Sequence, residues 1–234
     1  MALKALLNQK LDGSVSLQPT RIFYIQKLTG QGHSSIRDFT AQLQSSYRFD
    51  LDSEFLDLAQ LVQNANPATQ PVWQLSRERW YSNSKLAVAA PNFSGERIIV
   101  ANWHSPIMAM GTTKISFKDA SVSAHNITVE PVAVTSRAQG FVKDSLPYLW
   151  EASLTAANVK GTGRGTFSLF RSPSSESGSK KVEIAKYQSM SGKCEIGGVL
   201  VLDEREINPL VAVLTLLAVL GQRDSFNNLS SRAV

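Results

Sequence analysis

Hydrophobic residues run almost unbroken from Ile207 through Leu220 (INPLVAVLTLLAVL), and both ends of the run carry helix punctuation. Asn208 suits an N-cap, Pro209 the first helical position and Gly221 the left-handed residue that closes a helix. The pattern therefore predicts a helix over 207–221 with a tail over 222–234. Thr215 is the one polar residue between Pro209 and Leu220, so no face is left for water, and such a helix has to be buried on every side. About a dozen residues span roughly 18 Å, short of the roughly 30 Å of a bilayer's hydrocarbon core, which predicts a core helix and no transmembrane segment.

Elsewhere the period changes. Leu3, Leu6, Leu7 and Leu11 recur at helical spacing, predicting a short amphipathic helix within 1–13. Thr20–Lys27 and Ser34–Phe49 are rich in β-branched and aromatic residues on either side of a turn-prone TGQGHSS, and two or more strands fit there. Phe55, Leu58, Leu61 and Val62 return to three- and four-residue spacing, predicting a helical insertion over 52–66 that Ser53 caps and Asn66-Pro67 ends.

Beyond Pro71 short strand-like segments alternate with turn residues. Strands are predicted at Val72–Leu75, Lys85–Ala90, Arg97–Trp103, Thr113–Phe117 and Ile127–Val134. Further strands follow at Tyr148–Leu154, Gly165–Arg171, Lys181–Gln188 and Cys194–Leu202, with Ser172–Lys180 as a hairpin tip. Many strands around one wholly apolar helix predict a mainly β, closed antiparallel barrel, because closure removes edges and supplies an inward apolar face all round. A single domain over 1–234 accounts for the whole chain.

The C-terminal third also carries a family resemblance. Tyr148, Leu149 and Trp150, followed by Gly165–Arg171 (GTFSLFR), resemble the Y-x-W and L-x-L-x-R strands of the tubby C-terminal-like superfamily, which includes tubby-like, phospholipid scramblase and LURP-one-related proteins. The order continues through Glu183–Lys186 (EIAK), Gly197–Val201 (GGVLV) and Asp203–Glu206 (DERE), directly before the apolar helix. The resemblance implies a barrel of about twelve strands enclosing a hydrophobic C-terminal helix, the architecture that burial of the helix requires independently. It implies association with lipid, phosphoinositide among them, or with a protein partner. The palmitoylated cysteine cluster and the acidic calcium segment found among scramblases have no counterpart here.

Composition narrows the function classes. The 234 residues, 43% hydrophobic, are enough for a sizeable core. An excess of 24 basic over 19 acidic residues, net charge +5, favours anionic surfaces. Cys194, the single cysteine, excludes an internal disulfide and a cysteine zinc site and predicts a reducing compartment. The start MALKALLNQKL sets lysines among its leucines without a cleavage pattern, so a cytoplasmic protein, free or peripheral to a membrane, is expected.

Candidate chemistry is sparse. Lys114, Lys118, Arg137, Lys143, Lys160, Arg164, Arg171, Lys180 and Lys181 lie near turns and form the candidate site for anionic headgroups or phosphates; the competing reading is solubilising charge on outward strand positions. His33, His104 and His125 stand apart, so neither a metal nor a cofactor is expected, and no nucleic-acid partner is. No G-x-S-x-G or other nucleophile signature occurs, and KGTGRG at Lys160–Gly165 lacks P-loop spacing.

The primary expectation is an intracellular tubby-like binding module that meets anionic lipid or a protein partner through its basic surface. The alternative is an enzyme or ligand-binding protein for a small molecule. Its pocket would lie in or at the mouth of the barrel, lined from Trp73, Trp80, Tyr81, Trp103, Tyr148 and Trp150, with His104, His125, Glu130 or Asp144 moving a proton.

Overall fold

The computed structural model describes residues 2–27, 34–43, 70–77, 85–92, 94–105, 111–133, 138–152, 166–172, 180–191 and 196–230. The elements in chain order are α1 (Ala2–Leu7), β1 (Lys10–Leu11), β2 (Arg21–Lys27), β3 (Ser34–Asp38), α2 (Thr40–Leu43), β4 (Trp73–Arg77), β5 (Lys85–Pro91) and β6 (Arg97–His104). There follow β7 (Thr113–Phe117), β8 (Ile127–Pro131), β9 (Gln139–Lys143), β10 (Leu146–Ala152), β11 (Thr166–Arg171), β12 (Lys180–Ser191), β13 (Ile196–Leu202) and α3 (Pro209–Ser230).

From β2 to β12 each strand pairs with the next, and β13 pairs with both β12 and β2, closing an antiparallel barrel of 12 strands. Inward positions alternate as the pleat requires: Ile115, Ile127, Val129, Phe141, Trp150, Leu169, Leu200 and Leu202 converge on the apolar stretch of α3 in one cluster. Val211, Ala212, Val213, Thr215, Leu216 and Ala218 are wholly buried. These residues face successive directions round the helix, so the enclosure that its apolar run predicts is realised.

The start of α3 agrees with its sequence punctuation, and its end does not. Asn208 Oδ1 accepts the Leu210 N–H at 3.0 Å, and the Asn208 carbonyl accepts the Ala212 N–H at 3.1 Å. Gly221 was expected to close the helix, but α3 continues to Ser230, into what reads as a tail. Gly221 does not have positive φ, unlike Gly95 and Gly111; a Cβ on it would lie 3.6 Å from the Trp103 ring. It marks the end of the apolar run and the helix passes through it.

Other boundaries moved for local reasons. The β-rich run from Ser34 stops at Asp38, whose Oδ1 accepts the Thr40 N–H at 2.8 Å, while Thr40 Oγ1 accepts the Ile22 N–H at 3.0 Å. Strand β9 was not anticipated, nor was β1, which pairs parallel with β12 through Lys10 opposite Lys180 and Leu11 opposite Lys181. Asp144 (φ 49°) and Ser145 (φ 65°) turn β9 into β10 as a two-residue hairpin, a left-handed pair that Asp tolerates better than most residues. The expected helix over 52–66 lies outside the described residues.

The barrel is covered outside as well as filled inside. Helix α1 lays Leu3, Leu6 and Leu7 against Val132, Ala138 and the outward Leu149. Gly140 permits this approach, since a Cβ there would fall 2.7 Å from a Leu3 methyl. Among the described residues no helix is long and apolar enough to cross a membrane.

Candidate functional site

Among the described residues, the cations singled out in the sequence do not gather. Lys114 and Lys118 belong to β7 and its end, whereas Arg171 belongs to β11 and Lys180 and Lys181 to β12, four and five strands away round the barrel. Carboxylates hold four of the six that lie among the described residues. Lys181, buried, donates to both Glu151 oxygens at 2.6 and 2.7 Å, with its ammonium 4.6 Å from the Phe170 ring centroid. Arg171 pairs with Glu206, Lys180 with Asp12 at 3.4 Å, and Lys143 with Asp144. Lys114 and Lys118 are exposed, and neither has an ion-pair partner among the described residues. Arg137, Lys160 and Arg164 lie outside them.

Of the candidate proton-transfer groups, His125 Nδ1 and Asp144 Oδ1 approach to 4.0 Å. Both are exposed, and the Lys143 hydrogen bond, ahead of a smaller contribution from His125, holds the Asp144 carboxyl below its ordinary range. His104 ends β6 opposite Lys114, and Glu130 is exposed opposite Gly140; neither joins the His125–Asp144 pair across the sheet register. No enclosed proton-transfer site results. Among the described residues no three His, Cys, Asp or Glu side chains come together to hold a metal ion.

The aromatic residues divide. Trp150, wholly buried, donates its indole N–H to Thr215, and Tyr148 stacks on Phe141 at 5.0 Å with 6° between the rings, so these rings are core. Burial raises the Tyr148 phenol pKa above its ordinary value. Trp103 lies against Gly221 at the far end of the apolar run. Trp80 and Tyr81 lie outside the described residues.

Trp73 is different, because it lines an open cavity of about 390 Å³ at the barrel mouth where α3 begins. Phe23 from β2 and Trp73 from β4 form its aromatic floor, with centroids 5.4 Å apart and planes tilted by 40°. Val72, Val100, Val122 and Leu210 supply the remaining apolar wall, and Arg21, Asp38, Asp119 and Asn208 the polar rim. A concave apolar volume with a few converging polar groups is the ordinary form of a small-molecule site, typically about 300–1,000 Å³.

The rim charges are unequal. Arg21 donates from Nε to Glu204 at 2.5 Å and from Nη1 to Asp38 at 3.5 Å, and the Glu204 contact raises the guanidinium pKa. Asp119 accepts the Ser121 N–H at 2.8 Å, which holds its carboxyl below the usual range, and it has no cationic partner among the described residues. A second cavity, about 290 Å³, lies beside Leu17 and Ile184, but its Asp203 and Arg205 satisfy each other at 2.6 Å.

Of the mouth residues, Trp73 belongs to the aromatic set from which the sequence predicts a pocket. Arg21, Asp38, Val100, Asp119 and Asn208 come from separate stretches of chain, and only closure of the barrel joins them. No protein-family model matches the chain, and no curated protein matches it. Among solved structures, the X-ray structure of a protein from Arabidopsis thaliana is similar at 9% sequence identity, over 91% of this chain and 99% of that one, with a TM-score of 0.46.

Proposed function

We propose that this protein is a tubby-like binding module whose ligand site is the open barrel mouth above the start of α3, and that it takes up a small, largely apolar molecule there. The observation that carries this reading is the cavity of about 390 Å³ with the Phe23 and Trp73 rings as its floor. Among the described residues, the inward apolar side chains form one buried cluster around the start and middle of α3. The resemblance of Tyr148–Trp150 and Gly165–Arg171 to tubby-like strands supports the family reading, and the lone Cys194 supports an intracellular setting.

Tryptophan emission, titrated with an uncharged environment-sensitive dye, tests it. Wild type should bind saturably, and Val122→Trp, which fills the mouth from its loop, should weaken binding at least about tenfold, the equivalent of about 1.4 kcal/mol. Equal affinity in both proteins would remove the site from the mouth.

A second reading, peripheral association with anionic lipid, has its own support. Lys118, which has no ion-pair partner among the described residues, follows β7, and its backbone N–H donates to the Val100 carbonyl of β6 at 2.9 Å, next along the strand from Ile98 and Ile99, which are 49% and 51% exposed. Exposed isoleucines beside Lys118, with Lys114 further back along β7, suit an interface with acidic headgroups, each lysine adding about 1 kcal/mol near the surface. Co-sedimentation with phosphatidylserine vesicles should fall for the Lys114→Glu, Lys118→Glu double variant and fall with rising salt. Recovery insensitive to both would end this reading.

A further inference from the structure

We infer that the barrel mouth selects an organic ammonium: a cationic nitrogen carrying methyl or short alkyl groups, as in choline. The inference rests on the reading of the mouth as a ligand site and adds the charge and class of what enters it.

Three features converge on that chemistry. First, the floor is aromatic, and the faces of Trp73 and Phe23 attract a cation whose alkyl substituents also suit an apolar wall. Second, the rim holds more carboxylate than cation. Arg21 is its lining cation, and Glu204 and Asp38 already answer it. Asp119 remains unpaired among the described residues and stays ionised because the Ser121 N–H stabilises the carboxylate. Third, the volume of about 390 Å³ admits a trimethylammonium group with a short chain.

One feature opposes a cation: the start of α3 forms part of the lining and carries about half a positive charge. Asn208 already accepts the Leu210 N–H, which takes up one of the free donors. Against that half charge the lining sets Asp38 and Asp119, with Arg21 cancelling one of them and itself bonded to Glu204 beyond the lining, so the charge of the lining stays net negative. A strongly hydrated inorganic cation is not favoured, because the walls offer it few oxygen ligands; a weakly hydrated organic ammonium loses little on entering.

The experiment compares three molecules of one shape by titration calorimetry on the full chain: choline, its uncharged isostere with a tert-butyl group in place of trimethylammonium, and the matching carboxylate tert-butylacetate. Choline should bind about tenfold or more tightly than the isostere, and the carboxylate more weakly still. Asp119→Asn, which keeps the oxygen that accepts the Ser121 N–H but removes the charge, should bring choline close to the isostere. Equal binding of choline and isostere overturns the ammonium inference and leaves the mouth as an uncharged ligand site, and a preference for the carboxylate overturns it too. Absence of binding by all three, together with loss of dye binding, removes both readings. Free choline and a lipid headgroup share this chemistry. Co-sedimentation with phosphatidylcholine vesicles, competed by free choline, would assign the headgroup, and choline binding without sedimentation would assign a soluble ligand.

Discussion

The indole Nε1 of Trp150 donates to Thr215 Oγ1 at 3.0 Å, tying strand β10 to the middle of the enclosed helix. The same hydroxyl donates back to its own helix, with the Val211 carbonyl at 2.9 Å and the Ala212 carbonyl at 3.2 Å. Both residues are wholly buried, so water cannot replace either partner. The one polar residue of the apolar run is thereby explained: it satisfies the only polar atom of the largest inward side chain, and its own proton goes to a carbonyl.

Thr215→Val keeps the shape of the side chain and removes the acceptor. The Trp150 N–H is then buried without a partner, which costs about 1–3 kcal/mol. Thr215→Ser keeps the acceptor and loses a methyl group, at about 1 kcal/mol. Urea denaturation should therefore rank Thr215→Val as the less stable of the two. The reverse order would mean that methyl packing outweighs the hydrogen bond.

Leu214 is 1% exposed within the enclosed stretch. Leu214→Asp places an unpaired charge there, a cost of several kcal/mol against a total stability of about 5–15 kcal/mol. No cooperative thermal unfolding should be seen by circular dichroism. Leu214→Met conserves volume and should lose less than about 1.5 kcal/mol. A folded, soluble Leu214→Asp protein would contradict enclosure of the helix.

The parts of the fold that were legible in sequence are those where burial acts on consecutive residues. Ile207–Leu220 has no polar face, so its enclosure could be read directly, and the strand at Thr113 alternates buried and exposed positions at its start, Thr113 and Ile115 in and Lys114 out. Strand β9 escaped because Gln139–Lys143 contains Gly140, which is there for the approach of Leu3, and carries an apolar Val142 that is 41% exposed. The end of α3 was misplaced because Gly221 is the residue type of a helix stop, but its conformation stays helical where Trp103 meets it. The site was the least legible part. Whether a lysine is free depends on carboxylates far away in the chain: Asp12 for Lys180, Glu151 for Lys181 and Glu206 for Arg171.

Lys181 and Glu151 form a largely enclosed pair, with side chains 9% and 26% exposed. Glu151→Leu strands the ammonium and should cost about 3 kcal/mol, whereas adding Lys181→Met should recover most of that loss. Lys114→Ala, at an exposed position, should stay within about 0.5 kcal/mol of wild type. Chemical denaturation of the single and double variants checks this. A double variant no more stable than Glu151→Leu alone would show that the pair's geometry, and not the stranded charge, sets the cost.

Acid stability gives a test at the entrance to α3. Asp203 accepts the Arg205 guanidinium through both oxygens, Nε to Oδ1 at 2.8 Å and Nη2 to Oδ2 at 2.6 Å, and its carbonyl accepts the Glu206 N–H at 3.1 Å. The Arg205 hydrogen bonds outweigh burial and hold the carboxyl below its ordinary value. A depressed folded-state pKa means that the folded protein binds fewer protons than the unfolded chain, where Asp titrates near pH 3.9 or about that value. The stabilisation is therefore full above about pH 4 and is lost as pH falls through the lower folded-state value. Asp203→Asn cannot titrate: it should be less stable than wild type at neutral pH, and its stability should decline less steeply than wild type below about pH 4. Arg205→Met should weaken the same dependence from the other side of the pair, since the carboxyl then loses its leading hydrogen bonds. Stability curves for wild type and Asp203→Asn that run parallel down to about pH 2 would place the acid sensitivity elsewhere, with Asp119, Asp144 and Asp12 the remaining carboxyls held below their ordinary range among the described residues.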